Sequence, residues 1–318
     1  MSTVEKTAPD TPEGNSQVVA KNRRFSIAGR YLVIGAPYLW LLVFFLAPFI
    51  IVLKISFSSA IIAQPPYTAL FDWTHGLIPQ IKGTLSGYEF LLSDNLYAVA
   101  YLNSIKIALI STILCLLIGY PMAYGIARAP GSLRNALLMM VILPFWTSFL
   151  IRVYAWIGIL KNNGVLNNFL MDIGIIHDPL PLLHTSFSVY LGIVYSYLPF
   201  MILPLYANLA KMDESLLEAA SDLGCRPWKA FMSITLPLSL PGIIAGSMLV
   251  FIPAVGEFVI PELLGGPDTL MIGKVLWNEF FQNRDWPVAS AVAIAMLIFL
   301  VIPIVIFQHY QAREDEEG

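Results

Sequence analysis

The sequence predicts an all-α, polytopic membrane protein with six transmembrane helices. Three observations carry that expectation. Hydrophobic residues fill 57% of the 318 positions and charged residues only 12%, about half the charged share of a soluble domain. Mean hydropathy is +0.72. Six stretches of near-membrane length carry no charge. Such a chain cannot hide its apolar surface in one water-soluble core. A soluble enzyme, a nucleic-acid binder and a disordered scaffold are excluded on that ground.

The first span is Tyr31–Leu53, 23 residues without charge. As a helix it reaches about 35 Å, enough for a hydrocarbon core about 30 Å thick. It is too long and too polar in its leader for a signal peptide. The others are Ile107–Ala127, Asn135–Ile151, Leu183–Ala210, Leu238–Gly256 and Pro287–Phe307. The third is short, and Arg152 is placed to extend it by snorkelling to the interface. An even count puts both termini on one side. With the termini inside, 11 of the 18 Lys and Arg residues fall in inner segments. Lys21, Arg23, Arg24 and Arg30 abut the first span. The positive-inside rule therefore puts both termini in the cytoplasm.

Residues 1–24 are rich in Pro, Ser, Thr and charge and read as a disordered cytoplasmic tail. Residues 25–310 are the membrane domain, and 311–318 are an acidic cytoplasmic tail. The outer loop Lys54–Lys106 carries Tyr67, Phe71, Trp73, Tyr88, Phe90 and Tyr97. That density suits either a partner-contacting surface or an interfacial aromatic belt. Cys115 and Cys225 have neither metal nor disulfide spacing and read as free thiols. No metal site or nucleophile–base cluster emerges, and His75, His177, His184 and His309 are scattered.

The strongest local signal is the inner loop at about residues 211–237. Ser215 and Glu218 have capping-box spacing, and Asp213 and Glu214 suit a positive helix start. Leu216, Ala219, Ala220 and Leu223 recur at helical spacing. Gly224 is placed to end the helix in a left-handed cap, and Pro227 to open a second one. An amphipathic connector lying on lipid would share the periodicity. It would not share the acidic, small-residue composition, since lipid-surface helices favour Lys and Arg. Ala219 and Ala220 permit close backbone approach, as for a helix docked in another protein's groove.

Glu218-Ala219-Ala220, three residues, Gly224, nine residues, Ile234, one residue and Leu236-Pro237 resemble the EAA motif of ABC importer permeases. Cys225 stands where relatives often have alanine. The stretches around Ile142–Asn168 and Val250–Ala291 are similar to the larger permease of bacterial polyamine importers, which carry putrescine and spermidine. The resemblance runs from about Tyr31 to Phe307. It implies a type I ABC importer fold in the bacterial inner membrane. It further implies that Glu218, Ala219, Ala220, Asp222, Gly224 and Arg226 form a coupling helix received by a cytoplasmic ATPase. The implied partners are a second permease in a heterodimer, two copies of that ATPase and a periplasmic polyamine-binding protein. ATP and Mg would belong to the ATPase. The chain itself has no G-x-x-x-x-G-K-[ST]; Gly273-Lys274 is followed by Val275, and position 268 is Asp. No nucleotide-binding P-loop is expected in it.

A path for ammonium groups needs carboxylates and aromatic faces. Span five runs on through Pro253 and Gly256, which loosen a helix, to Glu257. Non-helical backbone at membrane depth must be buried in protein or line a wet cavity. Glu257 and Glu262 are the only charges between Lys229 and Asp268. Beyond span five, Glu257, Glu262, Asp268, Glu279 and Asp285 face only Lys274 and Arg284, a bias toward cations. The path candidates are Glu257, Glu262, Asp285, Trp277, Tyr195 and Tyr197. Competing roles exist for each. Glu257 could cap a broken helix or pair with Arg152 or Arg284. Asp285 could be a solvated loop charge, and the aromatic residues could be headgroup anchors. As a whole, the rivals to a polyamine permease are an ABC importer for another small solute and an ion-coupled secondary transporter.

Overall fold

The computed structural model describes residues 31, 33–72 and 80–317, and the chain divides into two units at Ile55–Ser56. The tail expected at 1–24 lies outside the described residues, as does Trp73. α1 (Val33–Ser56), which belongs to the first unit up to Ile55, is apolar apart from Lys54 in its last turn and is loosened by a π-helical turn at Leu42–Leu46. Tyr38, Trp40, Phe44 and Phe45 on it are exposed. A helix apolar on every face requires an apolar surround.

The second unit begins with β1 (Phe71–Asp72) and β2 (Gln80–Ile81), a two-residue antiparallel pair, followed by α2 (Ser86–Ser93). Then come α3 (Asn95–Arg128), α4 (Gly131–Ile142), α5 (Phe149–Leu160), α6 (Val165–Asp172) and α7 (Ser186–Leu209). After the inner loop helices α8 (Ser215–Asp222) and α9 (Pro227–Leu238) come α10 (Leu240–Val255), α11 (Val259–Leu263), α12 (Ile272–Trp277) and α13 (Trp286–Glu317). Among the described residues the six charge-free stretches are mostly helical, though not all straight. Three lie in long helices, α1, α3 and α7; two lie in bent pairs; the sixth is the apolar part of α13, Trp286–Ile302.

The third expected span needs correction. Asn135–Ile151 is not one helix extended by Arg152. Pro144 enters a 3₁₀ turn at Leu143–Trp146, and Thr147 leaves it extended, with its hydroxyl bonded to the Pro144 carbonyl at 2.8 Å. The chain then turns by 91° into α5. Arg152 therefore starts a new direction and does not snorkel from the end of an old one. The fifth span is also bent, by 63°, between α9 and α10 at Ser239. The Ser239 hydroxyl donates to the Leu236 carbonyl at 2.8 Å, and Tyr120 of α3 meets the same hydroxyl at 2.9 Å. The outer loop is shorter than expected, because Asp94 caps α3 by accepting from the Leu96 N–H at 2.9 Å.

The core is the mutual packing of α3, α7 and α10. Met201, Ile202 and Leu205 of α7 are fully buried in a cluster with Ala123 and Ile126 of α3 and Val250 of α10. A second cluster joins Ile107, Val189, Ile193 and Ala254 to Ile260 of α11 and Leu264 just after it. α7 and α10 approach closely because α10 carries glycines at 242 and 246. A Cβ on Gly246 would lie 2.8 Å from the Met201 sulfur and 3.1 Å from its carbonyl oxygen. A Cβ on Gly242 would lie 2.8 Å from Asn208 Cβ. This is the small-xxx-small device by which apolar helices pack without a hydrophobic drive between them.

Gly246→Val should cost about 1–3 kcal/mol through overpacking and lower the melting temperature of the detergent-solubilised protein. Gly125→Ala should not, because a Cβ there has no neighbour within 4 Å. Differential scanning fluorimetry of the two variants checks the contrast.

Candidate functional site

Two places concentrate the expected functional residues. The first is the inner loop. α8 starts under Asp213, whose Oδ1 accepts the Ser215 N–H at 3.0 Å. That N–H, with the Ser215 hydroxyl, holds the Asp213 carboxyl below the usual carboxylate value. The depression makes the cap a stabilising contact at neutral pH that fades as pH falls through the lowered value. The expected Ser215–Glu218 capping box gives way to this arrangement. Asp213 reaches the first free N–H from outside the helix, and Ser215 already sits within the first turn.

The end of α8 matches expectation. Gly224 has φ +75°, the Cys225 N–H reaches the Ala220 carbonyl at 2.9 Å and the Gly224 N–H reaches Ser221 at 2.8 Å. This pair of bonds is a Schellman motif. Pro227 then occupies the first turn of α9. Ala220 is buried, while Glu218, Ala219, Asp222, Gly224 and Arg226 are exposed. Leu223 is 88% exposed and Trp228 72%. The knuckle is joined to the membrane helices in two ways. Arg128, the last residue of α3, pairs with Glu214 at 2.9 Å. Beyond Trp228, Phe231 packs edge-on against Tyr120 and Tyr124 of α3.

The second place is a cavity of about 470 Å³ where α5, α7 and the end of α10 meet. Phe145, Phe149, Arg152, Tyr197, Phe200 and Glu257 line it, along with Pro253 and Phe258. α10 ends at Val255, and α11 restarts at Val259. Glu257 bridges the gap. Its Oε1 accepts the N–H groups of Val259 at 3.0 Å and Ile260 at 3.3 Å, and its Oε2 accepts the Tyr197 hydroxyl. Glu257 is therefore both the cap of a broken helix and part of the cavity wall. It makes no ion pair with Arg152 or Arg284 among the described residues. The Arg152 guanidinium instead lies over the rings of Phe145 at 5.3 Å and Phe149 at 5.8 Å.

The other path candidates are dispersed. Trp277 stacks at 4.4 Å on Phe258 and so backs the cavity from behind. Tyr195, on another face of α7, packs edge-on against Trp156. Glu262 is half-exposed and pairs with Lys274 at 3.0 Å. Asp285 caps α13 through the Val288 N–H at 3.0 Å. The structure brings Glu257 and Tyr197 together and leaves Tyr195, Glu262 and Asp285 outside the cavity.

A family described as "Binding-protein-dependent transport system inner membrane component" matches residues 115–314. The chain belongs to this family. It is thus a transport subunit of an ABC importer in the inner membrane, and ATP hydrolysis is carried by a separate subunit. It is similar to the spermidine/putrescine transport system permease protein PotB of Haemophilus influenzae, with 40% identity over 283 residues. That alignment spans 89% of this chain and 93% of the relative. The protein of the same name from Escherichia coli K12 is 43% identical over 70% of this chain and 81% of its own. Among solved structures, a chain of a bacterial ABC transporter that imports alginate shares the fold. Its TM-score is 0.63 and its identity 21%, over 92% of this chain and 99% of that one.

Within this importer subunit, sequence reasoning missed the aromatic wall of Phe145, Phe149 and Phe200. It also did not anticipate the exposure of Leu223 and Trp228. Phe145 and Phe149 stand four apart in a run that reads as one helix, which hides the bend that brings them over Arg152. Leu223 was visible as a helical repeat position, but its exposure follows from the cap geometry at Gly224.

The Gly224 cap gives a direct test. Gly224→Val should cost about 1–2 kcal/mol, because φ near +75° disfavours side chains with a Cβ. Gly224→Asn should be tolerated, since Asn visits that region. Limited proteolysis of the inner loop in the reconstituted assembly should show faster cleavage in the first variant alone.

Proposed function

We propose that this chain is the membrane-spanning permease of an ATP-driven polyamine importer, moving putrescine or spermidine into the cytoplasm by alternating access. A buried carboxylate beside aromatic faces, at a break between helices, is the observation that carries the reading. Glu257 is 7% exposed and faces the same cavity as four phenylalanines and Tyr197. Carboxylates and ring faces are the groups that stabilise ammonium. The likeness to the spermidine/putrescine permeases supports the same substrate class.

In this reading the exposed face of α8, with Glu218, Ala219, Asp222, Gly224 and Leu223, seats in a cleft of a cytoplasmic ATPase. Ala220 faces the other way, into the loop's own packing, and Arg226 flanks the turn. Closure of the ATPase pair would push α8, and the push would reach α3 through Glu214–Arg128 and α10 through α9. ATP and Mg reside in that partner. A second, different permease completes the path, two ATPase copies bind below, and a periplasmic polyamine-binding protein delivers substrate from above. Both termini then lie in the cytoplasm, as the Lys and Arg distribution favours. The work of ATP goes into the difference in contacts between outward-open and inward-open states.

Leu223→Asp should abolish co-purification of the ATPase while leaving the permease folded. An unchanged pull-down would remove this face from the coupling contact. Glu257→Gln should lower polyamine uptake by roughly tenfold or more at equal expression, as expected when a charge-assisted partner is lost from a site of low dielectric. Uptake by proteoliposomes with loaded binding protein measures it, and wild-type rates would exclude the cavity from the path. Glu262→Gln should leave uptake within about twofold, because an exposed ion pair contributes little.

A further inference from the structure

The cavity beside Glu257 already contains a cation, the guanidinium of Arg152. A fixed positive charge is an odd neighbour for a cation path, and its setting suggests its role. Arg152 lies at the start of α5, just past the 91° bend. Its guanidinium sits over Phe145 and Phe149, close enough for cation–π attraction. Its Nε is buried and has no hydrogen-bond partner among the described residues. Glu257 shares the cavity but is satisfied by Tyr197 and two backbone N–H groups. The cavity is therefore lined by one basic and one acidic side chain without a direct ion pair among the described residues. The guanidinium is held by ring faces more than by directional hydrogen bonds, so it is replaceable.

We propose that Arg152 is a tethered competitor for the substrate. A primary ammonium entering the cavity displaces the guanidinium from the Phe145 and Phe149 rings and takes its place opposite Glu257. The two cations cannot share those faces, because the second would leave the cavity with net positive charge in a low dielectric. Return of the guanidinium then expels the ammonium. A transport site has to bind tightly enough to fill and weakly enough to empty, and Arg152 sets that balance. The proposal rests on the reading of this cavity as part of the polyamine path.

Equilibrium binding of radiolabelled putrescine to the full assembly in nanodiscs, without ATP or binding protein, tests it. Arg152→Gln should tighten putrescine binding by roughly fivefold or more, the scale of one lost cation–π competitor. It should also slow uptake turnover in proteoliposomes, while Arg152→Lys stays near wild type in both. Binding that is unchanged or weaker in Arg152→Gln overturns the proposal. If that variant does not assemble, Arg152→Met, which keeps an apolar stem against the rings, is measured in its place. Failure of both to assemble makes Arg152 a structural residue and likewise overturns the proposal. Glu257→Gln separates the two levels. If it weakens putrescine binding while Arg152→Gln changes nothing, the cavity remains the path and only the competitor role falls. If neither variant alters binding, the polyamine-path reading itself falls.

Discussion

Everything distinctive about this permease follows from one constraint: a polar backbone group in an apolar surround must find a partner. Three of the helix interruptions among the described residues are solved locally by a side chain. At Thr147 the side-chain hydroxyl closes back on the Pro144 carbonyl. At Ser239 a hydroxyl takes the Leu236 carbonyl and is itself met by Tyr120. At the gap between α10 and α11 the partner is a carboxylate, that of Glu257. The first two solutions use neutral groups and only shape the chain. The third places a negative charge, and the charge gives the neighbouring cavity its chemistry.

The same logic separates Glu257 from Glu262. They are five residues apart in a stretch otherwise free of charge, and composition alone treats them alike. Glu257 follows Pro253 and Gly256, where the helix fails, and its side chain turns inward to serve two free N–H groups. Glu262 lies within a continuous turn of α11 and has no backbone to rescue. It turns out to Lys274. A carboxylate in such a chain becomes buried when the main chain needs it, and that need was readable from the Pro and Gly placement.

What could be read from sequence was what local grammar determines. Gly224 and Pro227 fix the knuckle between α8 and α9 because a left-handed cap and a first-turn proline depend on a few neighbours only. The capping box failed for the same reason: the carboxylates of Asp213 and Glu218 compete for the Ser215 N–H, and spacing does not say which wins. The cavity was half legible. Glu257 stood out, and Tyr197 was singled out for its ring, but its bond to Glu257 spans sixty positions in sequence. The placement of Arg152 over its two phenylalanines was hidden by the bend at Thr147, since a charge-free run reads as a straight span. The approach of α10 to α7 was in principle visible as Gly242 and Gly246, four apart on one face.

The knuckle and the cavity are linked by α10, and its packing decides what kind of motion can travel between them. Gly242 and Gly246 bring α10 against the backbone of α7, with Met201 between them fully buried. Close-packed helices of this kind do not deform gradually; they shift as bodies. A push delivered at α8 would therefore move α10 with α7 and act on the nearest break in the helix. That break is the gap after Val255, where Glu257 holds the chain by two N–H bonds and one tyrosine hydroxyl. Because Tyr197 belongs to α7 and the N–H groups belong to α11, any change in the angle between those helices has to strain the carboxylate's bonds. The Glu257 carboxylate is thus the point where a rigid-body shift would be felt first.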